Sequence, residues 1–425
     1  MFVALLFVLF VIMLLASLPV ALSMVMSTGF VLGVSTDFTM YMIVQRMFST
    51  LTNPTLLAIP AFIFAGVLMS RGGIARYLIE CVQAWIGHLP GGLAVVSVFC
   101  CMIFGAICGS SPATAVAIGS IMIPGMVKAG YDKKYAMGLI AASGTLGILI
   151  PPSIPLVIYG VTAEESIGKL FMAGIIPGII MGFTIMALAV IRARRLGYGR
   201  GEKASWDERW KKTVKAFPGA LLPIIILGSI YTGIATPTES AVVASVYTVL
   251  VSAFVYRELK MADVRAIMVE SVATSSMLYL IISCAMVFAL YLTNEQVPHM
   301  FSTWIANNNI GVVGFFALTA IMFFIMGTFM EAASIILITL PLLLPIMKFL
   351  GINPIHFAIV MVVNMELAQI TPPVGLNLFV VSGISRAPME QVVRGVIPYI
   401  FIMIAVMILF MIFPDLSLYI PNMMG

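Results

Sequence analysis

No charged side chain occurs before Asp37, and apolar runs of similar length recur along all 425 residues. A stretch of about 18 or more apolar residues can cross a hydrocarbon core, where every backbone N–H and C=O must be satisfied without water. That leaves helices or a closed barrel. The runs are continuous rather than alternating, so helices are expected. With 62% apolar and only 9% charged residues, against roughly a quarter charged in soluble domains, the chain reads as an all-α polytopic membrane protein within the lipid bilayer. Its start lacks the basic n-region and small-residue cleavage site of a signal peptide and reads as two spans meeting near Pro19. The cysteines Cys81, Cys100, Cys101, Cys108 and Cys284 show no paired spacing suited to zinc and are expected to be packing residues.

The chain also repeats itself. Sliding it by 221 residues places Pro124 on Pro345, Gly130 on Gly351, Asp132 on Asn353 and Pro151-Pro152 on Pro372-Pro373, with no gap. An offset of 218 places Pro19 on Pro237. Ordered matches at nearly one offset mark the internal repeats of transporters. The expected units are residues 1–191 and 217–425, joined by a cytoplasmic amphipathic linker over 192–216.

Each unit contains five expected crossings. In the first they are Phe2 to Leu18, Pro19 to Val34, Pro54 to Ser70, a broken span from Tyr135 to Gly160, and Leu170 to Ile191. In the second they are Phe217 to Ala235, Pro237 to Tyr256, Glu270 to Leu292, a broken span from Ile355 to Val381, and Gly395 to Phe413. Two further apolar segments, Gly91 to Pro124 and Ile310 to Pro345, are interrupted at their centres and are expected to be re-entrant hairpins. An odd crossing number inverts the second unit relative to the first. With the N-terminus outside, all of the 22 basic residues except Arg46, Lys169 and Lys348 fall inside, as the positive-inside rule requires. Polar stretches at Asp37 to Leu51 and Gly73 to Gly87 read as interfacial arms. The linker, with Trp206 and Trp210 among its bases, reads as a helix on the inner leaflet rather than a nucleic-acid surface.

Chemistry is expected where the apolar runs break. The hairpin tips are Gly105 to Thr114 and Gly327 to Ser334; the breaks in the spans are Ser143 to Ser153 and Asn364 to Pro373. Irregular backbone at membrane depth is tolerated only where it is buried in protein or lines a cavity, and carbonyls freed there can replace a cation's water. Two cation sites related by the repeat follow. Helix N-termini near Ser111 and Ala332 would turn partial positive charge towards the centre and favour an anionic substrate. Glu331, on a tip, is the best carboxylate for a substrate contact or for balancing a cation. Glu366 near the second break is either functional or structurally paired, and Glu239 is expected to cap a helix. His88, His299 and His356 lie near span ends and read as structural. No hydrolase elbow, histidine pair for a metal or phosphate-cradling loop is present, so the chain is not expected to be an enzyme. An intramembrane enzyme using Ser110 or Ser111 is the remote alternative.

Four motifs carry a family resemblance along nearly the whole chain. They are Gly109-Ser110-Ser111-Pro112-Ala113-Thr114-Ala115, the run Gly144 to Ser153 ending Ile150-Pro151-Pro152-Ser153, Gly233-Ile234-Ala235-Thr236-Pro237-Thr238-Glu239, and Thr371-Pro372-Pro373-Val374-Gly375. With these the chain resembles the large membrane (M) subunit of the tripartite ATP-independent periplasmic (TRAP) transporters. The resemblance implies a sodium-driven elevator in the bacterial inner membrane, supplied by a periplasmic substrate-binding protein and paired with a small four-helix membrane (Q) subunit. The chain opens directly at its first span, so that small subunit is expected to be separate. It further implies a moving transport domain over about residues 91–165 and 310–385, the remainder being scaffold. Sodium ions, two or more, would be held around Ser110, Ser143, Gly144 and Gly147, and around Gly327, Ala332, Asn364 and Ala368. Substrate would touch Ser111, Ser153, Glu331 and Asn377. The implied substrate is an organic acid, with sialic acid ahead of a C4-dicarboxylate. A stand-alone carboxylate carrier without a binding protein is the alternative.

Overall fold

The computed structural model describes residues 2–35, 40–198, 201 and 203–423. Residue 1, residue 36 and residues 37–39 of the first expected arm, residues 199, 200 and 202 of the linker, and residues 424 and 425 lie outside this set. In the first half, spans α1 (Phe2–Leu15) and α2 (Val20–Ser35) precede arm α3 (Met40–Leu51), span α4 (Ala58–Arg71) and arm α5 (Ile74–Ile86). A hairpin of α6 (Gly92–Cys108) and α7 (Ser111–Lys128) follows, then the broken pair α8 (Lys133–Gly144) and α9 (Ile154–Ala163), then α10 (Ile167–Arg195). The second half repeats the order except that no separate arm precedes its third span: α11 (Trp206–Tyr231), α12 (Pro237–Leu250), α13 (Met261–Asn294), arm α14 (Val297–Asn307), hairpin α15 (Val312–Gly327) and α16 (Ala332–Leu350), broken pair α17 (Pro354–Gln369) and α18 (Leu376–Ser385), and α19 (Met389–Ile412). A short α20 (Asp415–Met423) ends the described chain.

Equivalent positions in the two halves do equivalent work. Asp132 Oδ1 accepts the backbone N–H groups of Lys134 (2.6 Å) and Tyr135 (3.3 Å), and Asn353 Oδ1 accepts those of Ile355 (2.9 Å) and His356 (3.3 Å). Each satisfies donors that the first turn of its helix leaves open. The two Pro-Pro bonds, Pro151-Pro152 and Pro372-Pro373, are both cis. Glu239 caps as expected: its carboxylate accepts the Thr236 N–H (2.8 Å) while Thr236 Oγ1 accepts the Glu239 N–H (3.3 Å), a capping box at the start of α12.

The halves interlock rather than sit side by side. Span α4 packs on α12 and span α13 on α2, while hairpin helix α7 lies against α18 and α16 against α9. Between apolar helices in lipid, close backbone approach through small residues replaces the hydrophobic effect as the packing device. The tightest case joins α8 to α19: a Cβ on Gly138 would lie 2.1 Å from the Gly395 carbonyl carbon, and one on Gly395 would lie 2.1 Å from the Lys134 carbonyl oxygen. Helices α10 and α19, just beyond the bounds at 165 and 385 expected for the moving domain, pack on its helices: α10 on α6, α9 and α17, and α19 on α8, α17 and α18.

The linker region also differs from a free-standing interfacial helix. Helix α10 runs on to Arg195, and α11 begins at Trp206 and continues without a break to Tyr231, carrying Pro218 and Pro223 inside it. Its first turns dock on α5: Trp85 Nε1 donates to Thr213 Oγ1 (2.8 Å), and the Arg209 guanidinium lies over the Trp85 and Trp206 rings. On the same basic side, Arg71 pairs with Glu270 (2.6 Å) and Arg76 with Glu258. Exposed pairs of this kind contribute about 0–1 kcal/mol each. Helix α13 starts at Met261, nine residues before the expected span, and this extension places Glu270 within reach of Arg71 at the end of α4.

Candidate functional site

Each hairpin tip is tied to the broken helix of its own half. In the first half the Ile154 N–H, at the start of α9, donates to the Gly109 carbonyl (3.2 Å). In the second, the Gly375 N–H, just before α18, donates to the Thr328 carbonyl (3.0 Å). Gly109 sits at φ +64°, and a Cβ there would lie 2.8 Å from the Pro152 carbonyl oxygen, so both the turn and the close approach require glycine.

The two tips open into one cavity of about 520 Å³. One wall is formed by Ser110, Ser111 and Pro112 of the first tip and Thr328 to Ala333 of the second, with Gln369 above the second break. The opposite wall comes from α4, through Gly66 and Ser70, and from α13, through Glu270 and Thr274. The lining of α4 and α13 leads towards the ends joined by the Arg71–Glu270 pair, so the cavity reaches from the tips to the basic side of the protein. Helices α7 and α16 both begin at this cavity. Their unpaired N-terminal N–H groups and dipoles make it favourable for negative charge.

Of the residues expected to touch substrate, Ser111 and Glu331 line the cavity. Glu331 is half-buried, stands at the N-cap of α16 and makes no capping hydrogen bond through its side chain. Asn377 and Ser153 lie behind the wall. Asn377 Nδ2 donates to Ser111 Oγ (2.6 Å) and to the Ala141 carbonyl (3.2 Å), so it holds Ser111 from the opposite half of the chain. Ser153 donates to the Ile148 carbonyl and accepts the Leu156 N–H (3.4 Å), which makes it the N-cap of α9. Ser110 lines the cavity through its tip position.

Among the expected cation residues of the first half, Gly147 is the pivot. A Cβ there would lie 2.5 Å from Thr114 Oγ1 and 2.7 Å from the Ser110 carbonyl oxygen, so the break is pressed against both the main chain of the tip and the Thr114 hydroxyl. Gly144 is similarly packed on Ala115. Ser143 donates to the Leu139 carbonyl (2.8 Å) inside its own helix and lies 3.3 Å from Cys101 Sγ. In the second half, Gly327 faces Ala368, whose methyl would be 2.5 Å from an added Cβ. Asn364 Nδ2 donates to the Ala320 carbonyl (3.0 Å), while its Oδ1 is buried with no donor among the described residues. Ala332 begins α16 at the cavity wall. Gly144 and Gly147 thus lie where the first tip meets its break, and Gly327, Ala332 and Ala368 lie at or beside the second tip, whereas Asn364 reaches α15 before the tip.

One expectation changes in detail. The stretch from Asn364 is not irregular: α17 remains helical to Gln369, and the break runs from Ile370 to Gly375. No glycine or proline lies between Asn364 and Thr371 to interrupt it. Sequence reasoning passed over Gln369, Glu270 and Thr274. Gln369 carries a weak signal as an amide two residues before Thr371-Pro372. The other two carry none, because α13 reaches the cavity only through tertiary packing.

The model of the DctM component of the tripartite ATP-independent periplasmic transporters matches residues 7–416. Over 380 residues the chain is 44% identical to the C4-dicarboxylate TRAP transporter large permease protein of Pseudomonas aeruginosa, covering 89% of each. It is 33% identical over 411 residues to the sialic acid TRAP transporter large permease protein of Vibrio cholerae, covering 97% of this chain and 96% of that one. In fold it is similar to the crystal structure of the YdaH transporter of Alcanivorax borkumensis, with a TM-score of 0.65 at 15% identity over 87% of this chain and 86% of that one.

Proposed function

The chain belongs to the family of the DctM component of tripartite ATP-independent periplasmic transporters, and from that premise we propose that it imports an organic acid by sodium symport through an elevator movement. It is a large permease, a multi-pass membrane transporter. Its proposed place is the bacterial inner membrane, and its proposed partners are a periplasmic substrate-binding protein and a small four-helix membrane subunit.

The observation that carries this reading is the single cavity at which both hairpin tips and both breaks meet. Two helix N-termini facing one cavity suit a substrate with two acidic groups, one for each dipole. The higher identity to a C4-dicarboxylate permease than to a sialic acid permease points the same way, so a C4-dicarboxylate now stands ahead of sialic acid. Sodium would be held by backbone and side-chain oxygens around Ser110, Ser143, Gly144 and Gly147, and around Gly327, Ala332, Asn364 and Ala368. Bound there, it would brace each tip against its break and offset the substrate's charge. The proposed moving body comprises the hairpins, the broken helices, α10 and α19, and slides against α4 and α13.

The test is reconstitution in liposomes with the small subunit and the binding protein, using labelled succinate and sialic acid in parallel. Uptake of the dicarboxylate that collapses when choline replaces sodium is the expected result. Uptake undiminished in choline overturns the sodium coupling, and preferential sialic acid uptake overturns the substrate order. Equal uptake without the binding protein favours a stand-alone carrier.

A further inference from the structure

Helix α17 buries more acceptor oxygens than the proposed pair of sodium sites uses. Glu366 is 0% exposed and Gln369 2% exposed. Both carboxylate oxygens of Glu366 and Oε1 of Gln369 are buried, and no group among the described residues donates to them. No basic side chain among those residues pairs with Glu366 either. At a spacing of three residues the two side chains share one face of the helix. That face is not the one already assigned. Asn364 bonds to α15 and Ala368 abuts Gly327 at the end of α15, and Glu366 stands about 200° around the helix from Asn364. Every unmatched atom in this pair is an acceptor, and an unpaired buried carboxylate costs several kcal/mol. A monovalent cation satisfies all three oxygens at once and removes that cost. Gln369 also lines the cavity, which gives such an ion a way in past its side chain.

We propose that Glu366 and Gln369 form an additional monovalent-cation site on α17, separate from those at the two tips, taking sodium from the cavity. This rests on the sodium-coupled reading above and adds an ion to it. In the repeat, Glu366 falls on Thr145 and Gln369 on Ile148, so the site has no counterpart in the first half and is a feature of the second half alone.

The experiment is equilibrium binding of radioactive sodium to the purified full chain in lipid nanodiscs, in a choline background, with thermal stability followed in the same samples. Glu366→Gln is expected to bind one sodium fewer than wild type. Asn364→Ala is expected to weaken the affinity of a different ion several-fold while keeping the stoichiometry, so that the double variant shows both changes. Gln369→Leu, which keeps the carboxylate, is expected to weaken the corresponding sodium affinity by about tenfold. This variant decides the matter where Glu366→Gln fails to fold. Unchanged stoichiometry in Glu366→Gln, or unchanged affinity in a folded Gln369→Leu, overturns the additional site while leaving sodium coupling intact. A wild-type chain that neither binds sodium nor gains thermal stability from it overturns both readings together.

Discussion

At the first break, Gly144 and Gly147 let the chain tighten from α8 into the 3₁₀ turn Thr145–Ile148, whereas at the second the equivalent residues, Asn364 to Gln369, stay α-helical. The first break meets its hairpin through backbone: Gly147 lies against the Ser110 carbonyl, and a Cβ on Gly105 would lie 2.9 Å from the Gly147 Cα. Beyond the backbone bond from Gly375 to Thr328, the second meets its hairpin through side chains, a methyl against Gly327 and an amide bonded to Ala320. The tips differ in the same sense. Cys108 of the first is seated on α4, where a Cβ on Gly66 would come within 2.7 Å of its sulfur, while Phe329, its counterpart by the repeat, is exposed in the cavity. One repeat unit thus supplies a close-packed pivot. The other supplies polar side chains, and Asn364, Glu366 and Gln369 leave acceptor atoms uncommitted.

The largest effect should come from fastening the seated tip. Gly66→Cys in the native Cys108 background places two Cβ atoms about 3.3 Å apart, close to the disulfide range. Oxidation is expected to arrest uptake in liposomes and dithiothreitol to restore it; continued transport by fully oxidised protein would refute movement of this tip along α4. Next, Gly147→Ala and Gly327→Ala should separate the two packing modes. The first puts a methyl against a main-chain carbonyl and is expected to cost about 1–3 kcal/mol and more than tenfold in uptake rate. The second collides with the Ala368 methyl, so adding Ala368→Gly is expected to recover its melting temperature and transport. Failure of that rescue breaks the distinction between a backbone contact and a side-chain contact. The smallest effect concerns the equivalent pair Ser143 and Asn364. Ser143→Ala removes a hydroxyl already bonded within its helix but leaves the main-chain oxygens proposed to hold the ion, and is expected to change stability within about 0.5 kcal/mol and sodium dependence little. Asn364→Ala is expected to raise the sodium concentration for half-maximal uptake several-fold. Equal responses from the two would return the symmetric picture of the ion sites.

Much of the architecture was legible because proline, glycine and capping residues act locally. The proline pairs located both breaks, the repeat aligned Asp132 with Asn353, which cap equivalent helices, and the motif from Thr236 to Glu239 closed as a capping box. The first hairpin tip was legible for the same reason, since Gly109 takes a left-handed turn and Pro112 stands in the first turn of the next helix. The helical course of α17 past Asn364 was misjudged because the first unit's glycines were carried across the repeat to positions that hold none. The far wall of the cavity was out of reach of this reasoning. Glu270 and Thr274 sit on a long helix whose orientation depends on α2, α4 and α16. The pairing of Asn377 with Ser111 belongs to the same class, as neither residue's neighbours indicate that the two meet.

That pairing spans 266 residues, and the Gly138–Gly395 contact likewise joins the first half to the last long helix. During synthesis the first hairpin therefore enters the membrane well before the amide that will hold its serine has been made. Until α18 arrives, the Ser111 hydroxyl at the tip lacks the amide that donates to it in the finished fold, and hydrocarbon penalises polar groups left unmatched. Chains stopped short of α18 would thus present the membrane's quality control with an unfinished first half as well as a missing second one.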